Sequence, residues 1–380
     1  MSESERKSLA RRAKLAVVKV GTNVLTSSEG RIDPERIREL CDQIAELRKR
    51  GVSIILVTSG AIGSGVAELG LAGRPETLPE LQAAAAVGQS GLMRLYSEAL
   101  KPHGLHAGQV LVSRSDFADR PRYLNIRHAL SALLRYGAVP IINENDSTST
   151  EEITFGENDL LSALVANLVQ AALLLILTTV EGLERAEGGR TECVDVVTRI
   201  DDGLRLLVRE ERSAMGTGGM GTKLEAAEIL TAAGEACIIA DGRRSDTLLR
   251  IWNGEKVGTL FLPARERRMS GRKRWLASAG LPAGSVAVDA GARRALVEGG
   301  KSLLGSGILS VRGEFARGDL VTVEDEGGRE IARGLINYDA REVEKIRGLR
   351  TSQIEAALGS KPYDEVIHRG NLVLTEGRRR

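Results

Sequence analysis

The chain has 380 residues, too many for one ordinary small domain and suited to two. With 42% hydrophobic and 27% charged residues it can build a sizeable core, and no run approaches the roughly 18 unbroken apolar residues that suggest a membrane span. Lys plus Arg number 53 against 51 for Asp plus Glu, a net +2 that points to no nucleic-acid partner.

The chain opens on a polar, basic stretch, residues 1–14, with no apolar core and no small-residue cleavage site; this predicts a cytoplasmic protein without a secretory signal. Leu15 to Val20 is a short β-branched run ending at Gly21. From Pro34, apolar residues Ile37, Leu40, Ile44 and Leu47 recur at helical spacing, with Asp33 placed to cap and Gly51 to stop the helix. Ser53 to Val57 is the next strand and breaks into Thr58-Ser59-Gly60-Ala61. An Ala-rich helix follows from Leu81, then strands at Gln109 to Val112 and Ala138 to Ile142, the latter ending in Asn143-Glu144-Asn145-Asp146. A helix over Leu160 to Val169, a strand over Leu173 to Leu177, a helix over Leu224 to Leu230 and a strand over Ala236 to Ala240 complete the alternation. Strands alternating with helices predict an α/β fold, a mostly parallel sheet sandwiched by helices.

The style changes after Leu262-Pro263. Arg265 to Arg274 is densely basic and reads as a solvated linker, and Arg378-Arg379-Arg380 as a frayed tail. Short strands near Ser285 to Val288, Gly307 to Val311, Leu320 to Val323 and Ile331 to Ile336 predict a small β-rich C-terminal domain. The expected division is 12–264, a basic linker 265–283, and 284–365. Cys41, Cys193 and Cys237 are scattered and odd in number, so they read as reduced thiols rather than a disulfide framework or zinc site. His103 and His106 alone make no metal site.

Ligands of open parallel sheets gather at the carboxyl ends of the strands. Lys19 to Asn23, Thr58 to Ala61, Asn143 to Asp146 and Asp241-Gly242 all sit at such ends, although each alone serves equally for turning. The run Gly216-Thr217-Gly218-Gly219-Met220-Gly221-Thr222-Lys223 says more. It has glycines that let main-chain donors approach an oxyanion, a terminal lysine, and a helix to follow. Its spacing is not that of a Walker A loop, yet it favours phosphate binding. Lys19 and Lys223, the two lysines in glycine-rich contexts, suggest a clamp on a transferring phosphoryl group. Glu157-Asn158-Asp159 places two carboxylates and an amide at a helix start, where they either cap the helix or serve a substrate amine and the lysines.

Val18 to Thr22, Val57 to Ile62, Ala86-Val87-Gly88-Gln89-Ser90, Ile142 to Asp146, Gly156 to Ala163, Gly216 to Lys223 and Val257 to Phe261 together resemble the glutamate 5-kinases, in the right order along almost the whole chain. The C-terminal part resembles a PUA domain. The resemblance implies the amino acid kinase fold, ATP-dependent phosphorylation of the glutamate side-chain carboxylate in proline biosynthesis, and Mg²⁺ as cofactor. It also implies inhibition by proline and assembly as dimers or tetramers. It implies that Lys19 and Lys223 grip the phosphoryl group with Asp159 holding them in place. Ser59, Asp146 and Asn158 would bind glutamate. Thr178, Thr179, Thr217, Gly218, Gly219, Met220, Gly221 and Thr222 would contact ATP beside the two lysines.

One stretch departs from the family pattern: where it has Thr-Asp and then Gly-Leu-Tyr, this chain has Thr178-Thr179 and Gly182-Leu183-Glu184. That puts the nucleotide contact in this region in question. An RNA-binding or regulatory role for the PUA-like domain is the alternative function. The basic cluster could meet RNA phosphates, but at 3% aromatic residues the chain has few stacking platforms, Trp275, Phe315, Tyr338 and Tyr363 among them.

Overall fold

The computed structural model describes residues 2–27, 31–148, 157–187, 190–201, 203–205, 219–264, 271–278 and 282–375. The chain divides into two compact units, Met1–Arg268 and Met269–Arg380.

Strands of the first unit are β1 (Leu15–Val20), β2 (Ser53–Val57), β3 (Ala107–Val112), β4 (Val139–Glu144), β5 (Leu173–Thr178), the hairpin β6 (Glu184–Glu187) and β7 (Arg190–Cys193), β8 (Val196–Val197), β9 (Ala236–Asp241) and β10 (Thr259–Phe261). Eight of them form one sheet in the order β3-β4-β2-β1-β5-β9-β10-β8. Every pairing is parallel except that of β9 with β10. β1, β2, β4, β5 and β9 are buried along most of their length, which is why they read as continuous apolar runs: a parallel sheet is covered on both faces.

The helices are α1 (Ser2–Arg12), α2 (Thr22–Leu25), α3 (Pro34–Lys49), α4 (Ala61–Glu68), α5 (Leu78–Leu100), α6 (Arg114–Ala118), α7 (Arg120–Arg135), α8 (Glu157–Val169), α9 (Met220–Ala233) and α10 (Thr247–Trp252). The expected start of α3 is present: Asp33 accepts a hydrogen bond from the Glu35 amide at 2.9 Å and Pro34 opens the helix.

One helix was not read from the sequence, and another begins earlier than expected. Helix α1 carries no clear apolar stripe, and it docks through Arg6, which is buried. The Arg6 guanidinium donates to the carbonyls of Val257, Gly258 and Asp195 at 2.8–2.9 Å and to Asp195 Oδ1 at 2.8 Å, tying the N-terminal helix to the start of β8 and β10. The glycine-rich run is only in part a loop, because helix α9 begins at Met220 with Gly219 as its cap. Gly221, Thr222 and Lys223 therefore occupy the first helical turn.

Helices α4 and α5 touch backbone to backbone. A Cβ on Gly88 would stand 1.9 Å from the Ala61 carbonyl oxygen, and one on Gly65 would stand 1.8 Å from that of Ala84. Only glycine permits this approach, and it fixes the turn that precedes α4.

The second unit is a five-stranded sheet in the order β12-β11-β13-β14-β15, from β11 (Gly284–Val288), β12 (Ile308–Gly313), β13 (Leu320–Glu324), β14 (Glu330–Leu335) and β15 (Leu372–Leu374). All pairs are antiparallel save β11 with β13. Where charge density suggests a solvated linker, residues Gly271–Ser278 form helix α11, packed on β14 and β15, with Arg274, Trp275 and Leu276 buried. Phe315 and Tyr338 are buried in the same unit, and the Tyr338 ring meets Tyr363 edge-on at 6.2 Å. Three of the four aromatics weighed as stacking platforms are thus inside the fold.

Candidate active site

In this sheet the chain leaves β1 toward β2 on one side and later returns to β5 on the other. This reversal opens a crevice at the carboxyl ends of the central strands. Helix α8 follows β4 and precedes β5, and α9 precedes β9. Their first turns therefore lie at that same end, and the two helices pack together.

Asp159, in the first turn of α8, is fully buried. Its Oδ1 lies 2.8 Å from Lys19 Nζ on β1, and its Oδ2 accepts from Lys223 Nζ at 3.1 Å and from Thr222 Oγ1 at 2.9 Å. Both lysines are themselves more than nine-tenths buried. Lys223 also donates to the Gly219 carbonyl at 3.2 Å. Two ammonium groups so placed repel one another, and the carboxylate between them offsets that repulsion where water screens little.

The charges shift one another in definite directions. Burial pushes the Asp159 carboxyl upward, but the charges and hydrogen bonds of Lys19 and Lys223 outweigh it, and it stays below the ordinary carboxylate range. Burial pulls Lys19 below its ordinary value; Asp159 opposes this and Lys223 adds to it. By linkage, the depressed Asp159 adds stability above the carboxylate range that is lost as pH falls through its folded pKa.

Beside this charged group lies a chain of amides. Asn158 Nδ2 donates to the Thr58 carbonyl at 3.1 Å, to Ser59 Oγ at 3.0 Å and to Asn143 Oδ1 at 3.2 Å. Asn143 Nδ2 donates to Gln89 Oε1 at 2.8 Å, and the Glu144 amide donates to Asn143 Oδ1 at 3.0 Å. Thr58 Oγ1 shares a hydrogen bond with the buried Tyr96 hydroxyl at 2.7 Å. Gly60, at φ +100°, turns the chain from Thr58-Ser59 into α4.

The structure thus joins Lys19, Asp159, Thr222 and Lys223 in one group and Ser59, Asn143 and Asn158 in a second, the two sharing the first turn of α8. Asp146 stands two residues beyond β4, half-buried. Thr178 ends β5, and the Thr179 carbonyl accepts from Arg243 Nη2 at 2.7 Å, so the backbone of the divergent stretch is anchored to the end of β9. Gly219 to Gly221 lie at the start of α9, whereas Thr217 and Gly218 fall outside the described residues. Gln89, Tyr96 and Arg243 were not read from the sequence as site residues. Gln89 did sit in a quoted motif, and Tyr96 follows it by seven, on the same helical face.

Residues 14–241 match the amino acid kinase family, and residues 284–358 match the PUA domain. The chain is 46% identical over 378 residues to the glutamate 5-kinase of Syntrophus aciditrophicus, covering 99% of this chain and 98% of that one. It is 48% identical over 372 residues to that of Citrifermentans bemidjiense, covering 97% and 100%. A carbamate kinase from Giardia lamblia bound to AMP-PNP superposes with a TM-score of 0.47 at 18% identity, over 66% of this chain and 99% of that one.

Proposed function

The chain belongs to the amino acid kinase family and to the glutamate 5-kinases within it, and on that premise we propose how its residues move a phosphoryl group from ATP to the side-chain carboxylate of L-glutamate, the first step of proline biosynthesis. The observation that carries the reading is Asp159, a buried carboxylate held between two buried lysines from different elements. A carboxylate acceptor is already ionised near neutral pH, so the reaction needs no strong base. It needs alignment and positive charge against the oxyanions of the transferring group. One glutamate carboxylate oxygen bonds to the γ-phosphorus as the bond to the β–γ bridging oxygen breaks, leaving ADP.

Lys19 and Lys223 meet the phosphoryl oxygens in this reading. Asp159 is the holder that keeps the two ammonium groups adjacent, and its charge opposes the effect of burial on Lys19. Ser59, Asn158 and Asp146 receive glutamate. The start of α9, Gly219 to Lys223, lies along the phosphates, a role supported by the positive end of a helix N-terminus, and Thr217 and Gly218 would contact ATP as well. Thr178 and Thr179 border the nucleotide. The Arg243 guanidinium holds the Thr179 carbonyl and so fixes the backbone there.

Magnesium fits this site as a companion of the nucleotide. Among the described residues no three His, Cys, Asp or Glu side chains converge, and Asp159 is taken up by the lysines. The phosphates of ATP would be its main ligands, and it would supply further neutralisation of their charge. Inhibition by proline, a homo-oligomeric assembly and a cytoplasmic location belong to the same proposal. The last is supported by three unpaired cysteines. Among the described residues no helix is long and apolar enough to cross a membrane.

The test is direct. With ATP, magnesium and glutamate the protein is expected to release ADP and, with hydroxylamine present, to yield a hydroxamate. Aspartate, N-acetylglutamate and carbamate serve as rival acceptors. Faster turnover of any of these than of glutamate would overturn the substrate assignment.

The pH dependence adds a second check. The protonated form of Lys19 is the useful one, and burial lowers its pKa, so the cation is lost earlier on raising pH than from a free lysine. The alkaline limb of kcat/KM for ATP, which reports the free enzyme, is therefore expected below 10.5, the ordinary lysine value. A limb at or above that value would contradict the desolvated clamp.

A further inference from the structure

The motif Ala86-Val87-Gly88-Gln89-Ser90 has no place in the reaction as derived, yet Gln89 is buried within hydrogen-bond reach of the acceptor side of the site. We infer that Gln89 is a positioning residue for the acceptor, setting which atoms of Asn143 and Asn158 are left to meet the substrate. The inference rests on the glutamate-kinase reading above.

The argument follows the polarity of the amides. Asn143 Oδ1 receives two donors, the Glu144 amide and Asn158 Nδ2. Its Nδ2 must then point the other way, into a buried space where it needs an acceptor, and Gln89 Oε1 supplies one at 2.8 Å. Reversing the Asn143 amide would set an NH₂ group against both of those donors. Asn158 Nδ2 is in turn held by three acceptors, the Thr58 carbonyl, Ser59 Oγ and Asn143 Oδ1. That leaves Asn158 Oδ1 as the atom not used by the fold: it is buried and has no hydrogen-bond partner among the described residues. A lone buried carbonyl oxygen is a costly feature unless a donor arrives, and the ammonium of an amino-acid substrate is such a donor.

Gln89 is not explained by its own satisfaction. Its Nε2 is likewise buried without a partner, so an apolar side chain of the same size would suit the space better if packing alone mattered. Its contribution lies in Oε1 and acts through Asn143. Among the described residues no hydrogen bond joins Gln89 to Lys19, Asp159 or Lys223, so the effect of losing it belongs to the amino-acid side.

Gln89→Leu is expected to raise KM for glutamate about tenfold or more, while KM for ATP stays within about twofold and kcat within about threefold. The melting-temperature rise produced by saturating glutamate should shrink, and that produced by ATP with magnesium should persist. Gln89→Glu keeps an acceptor oxygen at the same reach and is expected to return KM for glutamate to within about threefold of wild type. Should the leucine variant not fold, Gln89→Ala carries the same comparison.

An unchanged KM for glutamate overturns the inference, as does an equal rise in both KM values or a glutamate variant as impaired as the leucine one. A wild-type chain that turns over no glutamate overturns the functional reading and this inference with it. Normal wild-type kinetics beside an unaffected leucine variant overturns the inference alone.

Discussion

Lys223→Met is expected to lower kcat by about 10³-fold while leaving a folded protein whose melting temperature moves by about 2 °C. The methionine fills much of the space of the lysine stem but brings no charge to the transferring phosphoryl group. The fold tolerates the change because Asp159 keeps Lys19 at 2.8 Å and Thr222 at 2.9 Å, so the buried carboxylate is not left unpaired. KM for glutamate should change little, since the amide group around Asn158 is untouched. Steady-state kinetics beside a melting curve separate the two effects. A variant that retains more than a tenth of wild-type kcat would remove Lys223 from the transition state and with it the two-lysine mechanism.

The other large effect is expected far from any charge. In Gly88→Val the first added carbon would stand 1.9 Å from the Ala61 carbonyl oxygen and 2.2 Å from the Gly65 amide nitrogen, atoms of a neighbouring helix that cannot rotate away. Helices α4 and α5 must part. Overpacking of this kind costs about 3 kcal/mol or more, or roughly 10 °C in the melting of the first unit. Because α4 begins at Ala61, parting the helices also moves Ser59 and Gly60. Any protein that remains folded should therefore bind glutamate poorly. Thermal melts and glutamate titration of the soluble fraction check this, and a variant with wild-type stability would mean the two helices are less tightly joined than the structure has them.

Much of this molecule was legible because its signals are local. The apolar runs at Leu15, Ser53, Leu173 and Ala236 became the buried parallel strands β1, β2, β5 and β9, since a strand covered on both faces carries its burial in its own residues. Asp33-Pro34 announced α3 through capping chemistry that reaches only two residues. Where the local signal misled, a distant partner was the reason. Arg272, Lys273 and Arg274 read as solvated, but α11 is held against β14 and β15 with Arg274 inside. Residues 2–12 lack an apolar stripe, and one arginine reaching chain segments about 190 and 250 positions away anchors the helix they form. Strand β10, three residues long and antiparallel to its neighbour, was too short to register as a pattern.

The glycine run before Lys223 shows the same division within the site itself. Sequence alone read it as a phosphate-binding segment ending in a cation, from glycines, a lysine and a helix to come, all within a few residues. Residue pattern and resemblance together also named Lys19, Asp159, Ser59 and Asn158. Only the tertiary structure decided that Met220 to Lys223 is already helix, that one carboxylate spans both lysines, and that Gln89 hydrogen-bonds Asn143. Caps, turns and periodicity depend on neighbours in the chain. An ion pair between residues 19 and 159, or an amide chain linking 89, 143 and 158, depends on the order in which strands lie side by side, and that order is a property of the folded sheet.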